Sequence, residues 1–155
     1  MKNNKREKGE IRTFGIWNKS FIVNELLKVF GKKLTSIVLF GSHTRKNYDE
    51  NSDIDLIIIA DSFNEHNLAK LRKSYLLSFK KKLDIHIFSK KEAKENFRIF
   101  SPMFVTLLLG KRILFDKEMF FKNELENFAE NIRRENIKYC EGGKIWEMKK
   151  VAENL

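Results

Sequence analysis

The sequence predicts an α/β (α+β) fold, a small mixed β-sheet with flanking helices packed mainly on one side. Three observations predict it. Two apolar runs, TSIVLF at 35–40 and DIDLIIIA at 53–60, read as strands buried on both faces. The segment LDIHIF at 83–88 alternates apolar and polar residues with the period of a strand. Between and after these segments, apolar residues recur at helical spacing.

The first 17 residues are charged and lack periodicity, and are expected to form a basic tail, with Phe14 and Trp17 able to dock on the body. A helix is expected from Asn18, capped by Asn18 or Ser20, with Ile22, Leu26, Val29 and Phe30 on one face and Gly31 at its end. After the first strand, Gly41-Ser42 turns the chain into a polar stretch, His43 to Ser52, expected to hold one helical turn and a loop. Asn64 can cap the next helix, whose apolar face is Leu68, Leu71, Tyr75, Leu76 and Phe79. In the third strand, Leu83, Ile85 and Ile87 point one way, and Asp84, His86 and Phe88 the other.

Ser89-Lys90-Lys91-Glu92 reads as a capping box. Ser101-Pro102 opens a further helix that Gly110 closes, and Arg112 to Phe115 is a brief strand. Lys117 to about Arg134 reads as a helix with Phe121, Leu125, Phe128 and Ile132 on one face. Gly142-Gly143 is a turn, and Lys144 to Met148 alternates like an edge strand or an ordered tail. The expected organisation is a single domain: a tail at 1–17, a core at 18–116, and a C-terminal helix and tail at 117–155 packed on that core.

With 155 residues, 42% of them hydrophobic and 14 of them Phe, the chain can bury a core and does not have the composition of a disordered protein. No apolar run approaches the roughly 20 residues that span a bilayer, and the basic N-terminus has no apolar segment behind it. One cysteine, Cys140, allows no intrachain disulfide, so a cytoplasmic location is expected. The net charge of +10 favours anionic partners such as nucleotides, RNA or an acidic protein surface. The lysines are spread along the chain, however, and only 80–82 cluster tightly, so a compositional bias explains the charge equally well.

The chemistry is concentrated between Leu39 and Ala60 and at Asp84. Asp53 and Asp55 are two apart at the mouth of a strand, so they project from one face and repel. A hard divalent cation held by oxygens would hold them ionised together. Gly41-Ser42 offers small residues and free backbone N–H groups suited to a phosphate. Asp84, one helix later on a strand expected to lie beside the second, faces the same cleft. Three carboxylates are enough for two magnesium ions, the arrangement of a phosphoryl- or nucleotidyl-transfer site, and Asp84 can also serve as a general base.

Arg45 and Lys46 follow the cradle and can neutralise phosphate charge. His86 shares a face with Asp84 and is read as a half-buried structural histidine. His43 adjoins Ser42 and is not assigned to substrate. Trp146 is read as sealing a core edge rather than stacking a base.

Gly41-Ser42, ten residues from His43 to Ser52, and then Asp53-Ile54-Asp55 within Ser-Asp-Ile-Asp-Leu form a pattern with a known counterpart. It resembles the nucleotidyltransferase superfamily related to DNA polymerase beta, and most of all its minimal nucleotidyltransferase branch, over about residues 34 to 88. Asp84 in LDIHIF matches the family's third acid. The resemblance implies a nucleotidyltransferase catalytic core in which Gly41, Ser42 and Arg45 bind the nucleotide and Asp53, Asp55 and Asp84 ligate magnesium. The family often has Arg-Gly in the loop, whereas here Lys46 follows Arg45. It further implies transfer of AMP from ATP. The implied acceptor is a tyrosine of a separate HEPN-type toxin, which would make the chain a protein adenylyltransferase and antitoxin. Two other readings stand beside this one: a nucleotidyltransferase acting on RNA or on a small molecule such as an aminoglycoside, and a non-catalytic binding module.

Overall fold

The computed structural model describes residues 18–45, 49 and 51–155. The expectations for the tail at 1–17, for Phe14 and Trp17, and for Lys46 and Asn47 lie outside the described residues. The first helix, α1 (Lys19–Phe30), starts where Asn18 Oδ1 accepts from the Phe21 amide at 3.0 Å, and it buries Ile22, Leu26 and Phe30. Gly31, at φ 55°, ends it, and a short 3₁₀ turn leads into β1 (Leu34–Phe40), buried at every position. A second 3₁₀ turn covers Gly41–Thr44, and β2 is Ile54–Ala60. Helix α2 (Glu65–Phe79) is capped by the Asn64 side chain and leads to β3 (Leu83–Phe88). The capping box at Ser89 and Glu92 is formed at the start of α3 (Lys90–Arg98), and α4 (Pro102–Thr106) carries Pro102 in its first turn. Then follow β4 (Arg112–Asp116), α5 (Phe120–Arg134), the paired strands β5 (Lys138–Glu141) and β6 (Lys144–Glu147), and α6 (Met148–Glu153).

The main sheet is four-stranded in the order β3-β2-β1-β4. β1 runs antiparallel to β2 and β4, while β2 and β3 are parallel, so the sheet is mixed as expected. Helices lie on both of its faces, α1 and α2 on one and α3 to α6 on the other, so one side carries most of them, as expected. The alternation of β1 and β2 shows why. Ile37, Leu39, Leu56 and Ile58 pack with α1 and α2 on one face. Val38, Phe40, Ile57 and Ile59 pack with α3, α4, α5 and α6 on the other. Strands apolar on both sides need cover on both sides.

Four local expectations change, the first being the helix opened at Pro102, which ends at Thr106 well before Gly110. Leu76 is 41% exposed rather than part of the apolar face of α2, which is formed by Leu68, Leu71, Tyr75 and Phe79. The helix expected from Lys117 begins at Phe120: Lys117–Met119 is a 3₁₀ turn in which Glu118 and Met119 take φ values of 57° and 54°. The segment expected as a strand from Lys144 to Met148 is strand only to Glu147. Met148 opens α6 and is buried against α5.

Candidate active site

The site forms where β1 ends, β2 begins and β3 begins. Phe40, the last residue of β1, lies opposite Asp55 in the antiparallel ladder, and Asp55 lies opposite Asp84 in the parallel one. The turn after β1 therefore faces the two acids. Gly41 takes φ 72°, and a Cβ added to it would overlap Asp55 Oδ2 and come within 2.9 Å of Asp55 Cγ. Only glycine lets the turn lie directly against that carboxylate. Behind the turn, Thr44 Oγ1 donates to the Gly41 carbonyl at 2.8 Å and the Arg45 amide to the Ser42 carbonyl at 3.1 Å. Gly110 supports it from outside: a Cβ there would stand 2.8 Å from the Thr44 carbonyl oxygen. His43 reaches the Ser52 carbonyl through Nε2 at 3.0 Å, joining the turn to the approach of β2. That contact gives His43 a structural role.

The three sequence-identified aspartates are brought within electrostatic reach of one another. Asp53 and Asp84 are exposed at the mouth and Asp55 is half-buried behind them. The Asp55 carboxyl is pushed up to about 6 from its ordinary 3.8. Burial is the largest cause, followed by the negative charges of Asp84 and Asp53, while His86 and Arg45 pull the other way. Among the described residues no three His, Cys, Asp or Glu side chains stand together as a metal-ligand group. Magnesium does not require one. It keeps several waters and takes one or two carboxylates together with substrate phosphates. An all-oxygen set of mutually repelling carboxylates beside a backbone cradle fits that ion chemically.

His86 Nε2 is 3.4 Å from Asp84 Oδ2, and its ring meets Phe40 edge-on at 5.8 Å, so it is held by packing as a half-buried histidine. Gly41, Ser42, Arg45, Asp55 and His86 line one open cleft of about 540 Å³. Its opposite wall was not foreseen from the sequence. Pro102, Met103 and Thr106 of α4 form part of it, and Tyr139 and Glu141 of β5 the rest. Glu141 Oε2 accepts from Arg45 Nη1 at 2.6 Å, across 96 residues of chain. The available signal was the Gly142-Gly143 turn. It marks a tight turn, but the four-residue strand before it is too short to show a period. Trp146 lies opposite Tyr139 in that hairpin with ring centroids 5.7 Å apart, and it packs on the core rather than lining the cleft.

Comparison with known proteins adds three likenesses and one family. The family model described as Nucleotidyltransferase domain matches residues 22–115. A Methanocaldococcus jannaschii chain that bears the name protein adenylyltransferase is 29% identical over 123 residues, which are 77% of this chain and 84% of that one. A chain in the crystal structure of a mutant toxin–antitoxin complex, MntA–HpeT, superposes with a TM-score of 0.53 at 16% identity, covering 76% of this chain and 89% of that one. A chain of a toxin–antitoxin complex with AMP-PNP gives 0.53 at 18% identity, with the same coverage.

Proposed function

This chain belongs to the nucleotidyltransferase domain family, and from that premise we propose that it transfers AMP from ATP to a tyrosine hydroxyl of a separate HEPN-type toxin, with release of pyrophosphate. The observation that carries the reading is the Gly41-Ser42 turn lying against Asp55 in the cleft, with Asp84 opposite Asp55 in the next strand but outside the cleft lining. ATP as donor is supported by the name of the M. jannaschii relative and by the AMP-PNP held in a complex of the same fold. The paired toxin is supported by the toxin–antitoxin complexes in which this fold occurs.

In this reading the backbone amides of the Gly41-Ser42 turn and the Arg45 guanidinium orient the triphosphate. Asp53, Asp55 and Asp84 would hold magnesium, which when bound supplies the positive charge that offsets the phosphate oxygens. Asp84, exposed at the mouth, takes the proton of the incoming hydroxyl. The mouth is open to solvent, which suits an acceptor presented on another protein.

The test incubates the protein with ATP, magnesium and the product of the adjacent gene, and weighs that product. The expected outcome is the added mass of AMP on a tyrosine and loss of toxin activity. With Asp53→Asn and Asp55→Asn together, modification should fall by at least about a thousandfold, the scale of losing transition-state charge stabilisation. Neutralisation that persists in the double variant would establish a non-catalytic binding module instead. The net charge of +10 favours a second acceptor, RNA. That reading requires RNA binding that weakens steeply with salt, and adenylyl tailing of an RNA end.

A further inference from the structure

The cleft is chemically two-sided. The Gly41-Ser42 turn and Arg45 offer groups suited to phosphate, while Pro102, Met103 and Tyr139 add apolar surface to a facing wall that also carries Thr106 and Glu141. A ligand that fits both has an anionic tail and a planar apolar head, as a nucleoside triphosphate has. The β5–β6 hairpin places the aromatic part of that wall. Tyr139 and Glu141 are two apart on β5 and both line the cleft, and Cys140 between them is exposed. Glu141 fastens the strand to Arg45 at 2.6 Å, and the Trp146 ring lies beside Tyr139 on the paired strand, both packed against the core. Tyr139 is half-buried, so part of its ring remains open to the cleft.

We propose that Tyr139 is the nucleobase-contacting residue of this site, its ring packing against the base of the bound nucleotide while the Gly41-Ser42 end takes the phosphates. This rests on the nucleotidyltransfer reading above and names the part of the chain that holds the nucleoside. Base–aromatic contact draws on the π-face that every base has, so the contribution of Tyr139 is to affinity more than to the choice among bases.

The test measures the Kd of ATP with magnesium by calorimetry on the full chain, independently of any acceptor. Tyr139→Leu keeps apolar bulk and removes the aromatic face, and is expected to weaken ATP by about tenfold. Tyr139→Phe keeps the face and is expected to bind within about twofold of the native chain. Emission of Trp146, recorded in a Trp17→Phe background, checks that the hairpin stays folded. Unchanged affinity in Tyr139→Leu overturns the proposal. So does equal weakening in Tyr139→Phe, which would assign the effect to the hydroxyl. Absence of ATP binding by the native chain would remove the nucleotidyltransfer reading itself, and this proposal with it.

Discussion

Gly41 is a position where the backbone and the chemistry make the same demand. Its φ of 72° costs any residue with a Cβ about 1–2 kcal/mol, and that Cβ would also overlap the Asp55 carboxylate. Gly41→Ala should therefore lower stability by that amount and displace Asp55. A misplacement of about 1 Å at such a site costs roughly a hundredfold in rate, so adenylyl transfer should fall on that scale while the chain stays folded. Activity near the native level in a folded Gly41→Ala protein would show that Asp55 can be displaced without loss. The Gly-Ser pair was legible as a cradle from its place between two strands, but its contact with Asp55 was not, because it depends on the register of β1 against β2. Tyr75 presents the opposite case, a polar atom with no catalytic use. It is fully buried in the cluster formed by α1, α2 and the sheet. Burial pushes its phenol up to about 12 from the ordinary 10.0, with the Asn18 backbone opposing part of the shift. The folded state then keeps the proton that the unfolded chain loses. Stability is intact below pH 10 and falls between pH 10 and 12, by roughly 2–3 kcal/mol for a shift of about two units. Tyr75→Phe removes the titrating group. Urea midpoints at pH 9 and pH 11.5 should converge in that variant relative to the native chain, and an equal drop in both proteins would show that other groups cause it.

Between β4 and α5, one side chain joins two elements that the sequence placed correctly but did not connect. Asp116 Oδ1 accepts from the Ser36 hydroxyl of β1 at 2.7 Å and from the Phe121 amide at 2.9 Å, and Oδ2 accepts from the Lys122 amide at 3.0 Å. It thus satisfies the first free amides of α5, although three residues in a 3₁₀ turn separate it from the helix. Spacing alone suggested a helix starting at Lys117, since a left-handed pair at Glu118 and Met119 leaves no mark in hydrophobic periodicity. Asp116→Ala removes a cap and leaves the buried Ser36 hydroxyl without its acceptor. An expected loss of about 2–3 kcal/mol follows, measurable as a lower urea midpoint with an unchanged slope. A loss below about 0.5 kcal/mol would mean that water replaces the carboxylate at no cost. The elements with strong periodicity or a cap, α1, α2, α3 and the strands β1, β2 and β3, were legible for that reason. β5 and α6 were not, because a four-residue strand and a six-residue helix are too short to show a period.

At the scale of the molecule, the residues after α5 belong to the core and to the cleft at once. Met148 and Ala152 of α6 are fully buried against α5, and the Arg133 guanidinium of α5 donates to the Ala152 carbonyl through Nε at 3.1 Å and Nη2 at 2.9 Å. The Met148 amide donates to the Ile137 carbonyl at 2.9 Å, which ties the root of the hairpin to the same anchor. From that root the hairpin carries Tyr139 and Glu141 to the cleft. The acids and the cradle could be read from residues 39–60 and Asp84 because they sit in or beside strands of strong pattern. The facing wall could not, because α4 and the β5–β6 hairpin supply it and only packing brings them there. This arrangement couples stability to substrate binding. Met148→Ala should lower stability by about 2–4 kcal/mol through the cavity it leaves. If hairpin and anchor move together, the same variant should also bind ATP severalfold more weakly, although Met148 does not line the cleft. Leucine at the same position nearly conserves volume, so Met148→Leu should cost under about 1.5 kcal/mol and keep the native affinity. A Met148→Ala protein that melts lower but binds ATP with unchanged Kd would show that the hairpin is held at the cleft by Arg45 and Glu141 alone.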